Sequence, residues 1–356
     1  MEKRERVLMA LDHQKTDRPP FQATFTPEFA QRLANFFQIN YAHVHHDPHN
    51  GRWNGYELEK VTQQDALQAG IGWFTNYYHD TKPYTDEWGV SWKTDKYSTP
   101  FGEGIYTNIL EAPLGDEKKL NGYAAPDPTR PDLYKNLGRL IKAYQSEYYI
   151  IARIHCTIFE TAWALRGFEK LMMDFYLNSD LADEILEIAY GYHATVAKKT
   201  AEMGADMIWL GDDFGAQDAM LIDPELWRIF FKERMANLIS EVKKTKPDIK
   251  IAYHTDGNVY DIIPDLIEIG VDVLNPVQTE SMDPVLLQRK YGKNLCFFGG
   301  IAVQSTLPKG KPSDVIHEFK FLLQTLGKDG GWICSPTHHV QLDTPMENFL
   351  ALVPSS

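Results

Sequence analysis

Apolar positions along this chain alternate between two rhythms. Short β-prone runs end in polar or glycine-rich turns, and each is followed by a stretch whose apolar residues fall three to four apart. The segment Lys250–Gln278, KIAYHTDGNVYDIIPDLIEIGVDVLNPVQ, shows the whole unit. Lys250–Tyr253 reads as a strand running into His254-Thr255-Asp256-Gly257-Asn258. A short helix closes at Gly270, and Val271–Leu274 then enters Asn275-Pro276. A βαβ unit of this kind requires a parallel sheet covered by helices.

The same punctuation recurs along the chain. The spacing predicts helices over Arg4–Leu11, Pro27–Phe37, Leu133–Ser146, Leu181–Gly204, Pro224–Lys244 and Asp314–Gly327. Further strands are expected at Phe21–Phe25, Tyr149–His155, Met207–Leu210, Leu295–Phe298 and Gly331–Ser335. About six strands follow from Tyr149 onward, and one near residue 21 with another before Tyr149 would complete eight. The expected architecture is therefore a (β/α)₈ TIM barrel over 1–356 as a single domain, with a doubly wound sheet as the alternative. No repeat that would indicate a solenoid is visible.

Two segments depart from that rhythm. The alternation around Trp88, Val90 and Trp92, and then Ile105, Thr107 and Ile109, predicts a β-hairpin excursion at about 86–123. It reads either as a plain antiparallel flap or as a lid carrying Trp88 and Trp92 against substrate. The stretch with His43, His45, His46 and His49 sits amid Asp, Asn and Pro and reads as a solvated loop, because a metal site needs ligands converging from fixed geometry.

Composition narrows the partners. A net charge of −13 disfavours nucleic acid or an anionic membrane as the main partner. No apolar stretch reaches the roughly 20 residues that span a bilayer. Met1–Arg6 leads into a helix without an apolar core run, so no signal peptide is expected. Three widely spaced cysteines, Cys156, Cys296 and Cys334, suit a reducing cytoplasm better than a disulfide framework.

The chemistry gathers where strands end. In parallel α/β folds ligands bind beyond the carboxyl ends of the strands. A barrel would collect His155, Asp212, Asp213, His254, Asp256, Asn275, Gln278, the Gly299-Gly300 pair, His338 and His339 there, with Glu160 and Arg166 following His155. His254 and Asp256 are two apart, so on an extended strand they point the same way. Histidines and a carboxylate at one mouth serve equally for a zinc site with an open position or for acid–base work. One of Asp212 and Asp213 is expected to cap the following turn. Only one of His338 and His339 can face the site in an extended segment. Cys334 is expected in the barrel wall. No GxGxxG or Walker motif occurs, so no nucleotide cofactor is indicated.

Motifs along nearly the whole chain resemble the uroporphyrinogen decarboxylase superfamily, which also contains zinc-dependent methylcobamide methyltransferases. They are RERVLMALDHQKTDRPP at the start, DEWGV, the PDP at Pro126–Pro128, LGDDFGAQDAMLIDPELWRIFF, HTDGN with GVDVLNPVQ, FFGGI, and SPTHHVQLDTPMENFLAL. The resemblance implies a (β/α)₈ barrel. Decarboxylases of the family carry an arginine-rich RQAGRY-like motif after the first strand; here the stretch is ATFTPEFAQRL, with Arg32 alone. A polycarboxylate substrate would lack its guanidinium partners.

The methyltransferase branch builds its zinc site from HxC and a later cysteine before TP-x-EN. The resemblance puts His254 and Asp256 at HxC and His338 near the last cysteine, before Pro345 in DTPMEN. Two histidines and a carboxylate still bind zinc. The expectation is a metal-dependent methyltransferase with His254, Asp256 and His338 as ligands. Asp212, Asp213 and Glu160 are the expected catalytic residues, and Gln278, Asn275, His155 and Trp88 the expected substrate contacts. Its methyl group would come from a small methylated molecule and pass to a corrinoid protein, with the enzyme a monomer or homodimer. The alternatives are a metal-independent decarboxylase using Asp213 and His338, and a binding protein without catalysis.

Overall fold

A computed structural model describes residues 1–40, 55–71 and 83–354. The histidines at 43, 45, 46 and 49 lie outside these residues. Ten strands are present among the described residues: β1 (Ala66–Gly70), β2 (Tyr84–Thr85), β3 (Ser91–Thr99), β4 (Gly102–Glu111), β5 (Tyr149–Arg153), β6 (Met207–Gly211), β7 (Lys250–His254), β8 (Val273–Val277), β9 (Cys296–Ile301) and β10 (Trp332–Pro336). Seven of them form one parallel sheet in the order β1-β5-β6-β7-β8-β9-β10.

The eighth stave is the Phe21–Phe25 segment. Phe21 bridges Cys334 and Phe25 bridges Val340, both in parallel, while Phe21 O accepts the Asp65 N–H at 2.9 Å on the other side. The sheet therefore closes into a (β/α)₈ barrel. Closure is fixed electrostatically at one point: the buried Asp65 carboxylate accepts from Arg6 Nη1 at 2.5 Å, Arg18 Nη1 at 2.6 Å and Phe21 N at 2.8 Å.

Inward-facing residues form their own core of Ala66, Tyr149, Ile151, Met207, Trp209, Ala252, Val273, Cys296, Phe298 and Ile333, joined by Val7 and Leu11. The helix Lys3–Leu11 thus plugs the end where the strands begin. Arg4 pins it there through a two-pronged pair with the buried Asp206. A larger apolar layer lies between sheet and outer helices. Strand side chains alternate with period two, so the inward phase continues past the plug. Ile151 leads to Arg153, Trp209 to Gly211, Ala252 to His254 and Val273 to Asn275. The interior changes from apolar to polar toward the carboxyl ends of the strands.

The expected helices are found with small shifts at their ends, for example Ser179–Glu202 and Pro312–Thr325. The excursion forms an antiparallel β2-β3-β4 sheet. Trp88 and Val90 belong to the turn before β3 rather than to a strand. No described helix is long and apolar enough to cross a membrane.

Candidate metal and substrate site

A cavity of about 560 Å³ opens at the carboxyl end of the barrel. His254 ends β7, Asp256 follows two residues later, and His338 lies two residues beyond β10. Their ligand atoms come within 4.8 Å of one another. Asp213, two residues past β6, joins them: its Oδ1 is 3.8 Å from His254 Nε2, and Asp256 Oδ1 is 3.9 Å from the same nitrogen. Asp213 Oδ1 also accepts the Asp256 N–H at 2.9 Å, tying the two loops together.

The tautomer of His254 is set from behind. Asn275 donates its Nδ2 to Phe298 O at 2.9 Å, which turns its Oδ1 toward His254 Nδ1 at 2.5 Å. An amide oxygen only accepts, so Nδ1 carries a proton, and Nε2 is the nitrogen turned toward the cluster. Burial, together with His254 and Arg153, pushes His338 down to about 4 against the pull of Asp213, which favours its neutral imidazole. These donors fit a zinc ion: two histidines, one carboxylate and a facing cavity for a further ligand.

Backbone proximity dictates two glycines. Gly211 pairs with His254 across the ladder, and a Cβ there would lie 2.9 Å from His254 Cβ. Gly215 packs on the Asp256-Gly257 backbone, where a Cβ would overlap Asp256 O. Gln278 Oε1 accepts the Gly257 N–H at 2.8 Å and steadies the same turn.

Glu160 lies in the helix Phe159–Arg166 and faces the cavity. Burial raises its carboxyl well above the ordinary range, and Asp213 and Asp212 add to the effect. Asp213 is raised by burial and by Asp256, with His254 opposing. Asp256 is raised by burial, with His254 and Arg153 opposing. Carboxyls whose protons are held by burial and by one another thus lie beside two imidazoles, an arrangement suited to holding and moving protons.

Several expected site residues take other positions. Asp212 is fully buried and accepts from Thr157 Oγ1 at 2.7 Å and from the N–H groups of Ile158 and Glu160 at 2.9 Å. It braces the turn that presents Glu160 and does not line the cavity; burial pushes it up to about 6 against those donors. Trp88 is 1% exposed, with Tyr192 at 4.7 Å and His193 stacked at 6.1 Å. It is core, and Trp92 of β3 lines the cavity in its place. Asn275 and Gln278 act behind the cluster and behind its loop, so of the four expected substrate contacts only His155 reaches the cavity. His339 turns its Nδ1 to Thr24 Oγ1 at 2.6 Å, leaving His338 as the member in the cluster. Arg32 is committed to Leu342 O and Thr344 O at 3.0 Å, with Phe101 beneath its guanidinium. Cys334 is buried in the wall, as expected.

Arg153 was not singled out by the sequence pattern, yet it lines the cavity with its guanidinium 4.6 Å above the Trp209 ring. Its signal was its phase: in YIIARIH it shares the face of His155. Trp163 and Phe168 also reach the cavity, and their apolar character made them look like ordinary helix core.

Comparison with known proteins accords with this geometry. Residues 99–355 match the profile of the family described as uroporphyrinogen decarboxylase (URO-D). A curated relative, the methylcobamide:CoM methyltransferase MtaA of Methanosarcina barkeri, is 26% identical over 176 residues. That match spans 49% of this chain and 48% of the relative, about half of each. Among solved structures, a methyltransferase from Methanosarcina mazei superposes with a TM-score of 0.72, covering 99% of this chain and 97% of its own at 19% identity. With 257 of its residues, 99 through 355, matching the family profile, the chain belongs to the uroporphyrinogen decarboxylase family.

Proposed function

We propose that this chain is a zinc-dependent methyltransferase that moves a methyl group from a small methylated molecule to a corrinoid protein. The observation that carries the reading is the His254–Asp256–His338 cluster at the cavity floor, with the His254 tautomer set by Asn275. The name of the Methanosarcina barkeri relative points the same way. A zinc ion held there would act as a Lewis acid toward the heteroatom that carries the methyl group.

The chain's own residues supply the rest. Glu160, whose carboxyl burial raises well above the ordinary range, would hold a proton at the cavity for the heteroatom that loses the methyl group. Asp213 orients Asp256 through its backbone and takes part in the same proton balance. Hairpin residues Trp92 and Ile109 line the cavity and would limit water there. Three free cysteines suit the reducing conditions of a cytoplasm.

A decarboxylase of a polycarboxylate finds little support. Arg153 is the one Lys or Arg among the described residues lining the cavity, and Arg32 is occupied elsewhere. The deciding experiment measures metal in protein purified without chelator, beside a His254→Ala, His338→Ala double variant. About one zinc per chain in the wild type, lost in the variant, is expected. Methyl transfer to a corrinoid carrier should fall with it. Wild-type protein that takes up no zinc when it is supplied sinks the mechanism.

A further inference from the structure

The hairpin formed by β3 and β4 bridges the mouth of the barrel, and it is held very differently at its two ends. Its root is built in. Trp88 is buried against Tyr192 and His193, and Tyr123 Oη donates to Trp88 O at 2.9 Å. The Asp86 carboxylate accepts from the N–H groups of Trp88 and Val90 and from Trp92 Nε1. Just beyond this root the ladder shifts register between Ser91 and Trp92. From Ser91 to Glu111, Trp92, Gly104 and Thr107 alone are buried. Tyr97, Ile105 and Ile109 line the cavity, while Lys96, Glu103 and Leu110 are exposed. A segment with so few buried contacts opens at low free energy unless its far end is held.

Two side chains of one helix hold that end. Glu28 and Arg32 stand four residues apart in the helix Pro27–Phe36, so they share a face. Glu28 Oε1 accepts the Ile105 N–H at 3.0 Å. β4 is an edge strand of its sheet, and an edge amide takes its partner from outside. Arg32 sets its guanidinium 4.2 Å from the ring of Phe101, which sits exposed in the turn between β3 and β4. Leu342 O and Thr344 O fix that guanidinium from behind, so the ring meets a positioned cation. Both contacts are polar or electrostatic and reach across to the hairpin from the rim, next to the cavity-lining Thr26.

We infer that the hairpin is a hinged cover, bending near Ser91 and latched at its tip by Glu28 and Arg32, and that small molecules enter and leave the cavity when the latch releases. The inference draws on the hairpin and its contacts alone, and it stands apart from the methyl-transfer reading.

Cys156 provides the test, because it lines the cavity while Cys296 and Cys334 are buried elsewhere. Purified protein is treated with N-ethylmaleimide under native conditions, and the modified cysteines are followed in time by peptide mass spectrometry. Phe101→Ala removes an exposed ring and leaves the core untouched; it is expected to speed Cys156 modification about fivefold, the scale of one cation–π contact. Glu28→Ala should speed it about tenfold or more, the scale of a hydrogen bond to a charged group. Phe101→Trp, which keeps a ring for Arg32, should stay near the wild-type rate. Cys334 should remain unmodified in every protein. Equal Cys156 rates in all of them, or no modification of Cys156 in any, overturns the latch. Modification of Cys334 in step with Cys156 overturns the hinge, because it would report general loosening of the barrel.

Discussion

His254 and Asn275 face each other across the β7–β8 ladder, imidazole Nδ1 to amide oxygen at 2.5 Å. Because Asn275 spends its N–H on Phe298 O, the pair has a direction, and that direction frees Nε2 for the cluster. Removing a partner of this kind costs metalloproteins about 10–100-fold in metal affinity. Asn275→Leu is therefore expected to weaken zinc binding by that factor in chelator competition. Asn275→Asp keeps the acceptor for Nδ1 but sets its second oxygen against Phe298 O, so it should recover only part of the loss.

Zinc should also stabilise the fold. A ligand that binds only the native state adds about 4 kcal/mol at a thousandfold excess over Kd. Thermal unfolding is expected to shift upward with added zinc and downward with chelator. In His338→Ala both shifts should shrink toward zero, and an undiminished shift would place the ion elsewhere.

Gly215→Ala tests the close approach of two loops rather than a ligand. The new Cβ would overlap Asp256 O, so the turn carrying Asp256 must move. Zinc affinity is expected to fall although no ligand is altered, with far-ultraviolet circular dichroism unchanged. Gly191→Ala, on an open helix face where a Cβ meets nothing within 4 Å, is the matched control.

Barrel closure depends on Asp65. Replacing it by alanine strands Arg6 and Arg18 without their shared carboxylate and leaves the Phe21 N–H without its acceptor. Breaking a buried ion pair by removing one partner costs about 3–5 kcal/mol. Denaturant titration of Asp65→Ala should show a loss of that size.

Glu318 gives the stability a pH dependence unconnected with the cluster. Burial, with Glu280 adding to it, raises its carboxyl to about 7 against hydrogen bonds from Ala302 N and Thr306. The folded chain then holds this proton more tightly than the unfolded chain, whose glutamate titrates near 4.5. Stability therefore falls as pH rises from about 4.5 through 7. Glu318→Gln should remove that share of the slope and stabilise the protein at pH 8 relative to wild type, as read from paired denaturant titrations.

The sequence by itself determined the barrel and the three candidate ligands. Strand-length apolar runs, each closed by a polar turn, leave few ways to bury both faces of a sheet except under helices, so the βαβ order was legible from periodicity. His254 and Asp256 were legible because period two puts them on one face at a strand end, and His338 because the resemblance carried it. Only the tertiary structure decided what each polar residue does there. Asp212 and Asp213 are neighbours in sequence, yet one is consumed by the N–H groups of the Ile158–Glu160 turn while the other meets His254. Asn275 and Gln278 looked like substrate contacts and instead support a histidine and a loop from behind. Trp88 and Trp92 share a phase in the pattern, but a turn buries the first against Tyr192 while β3 carries the second to the cavity. Such roles depend on which hydrogen-bond partner lies within about 3 Å, and those partners come from segments distant in the chain, where local pattern carries no record of them.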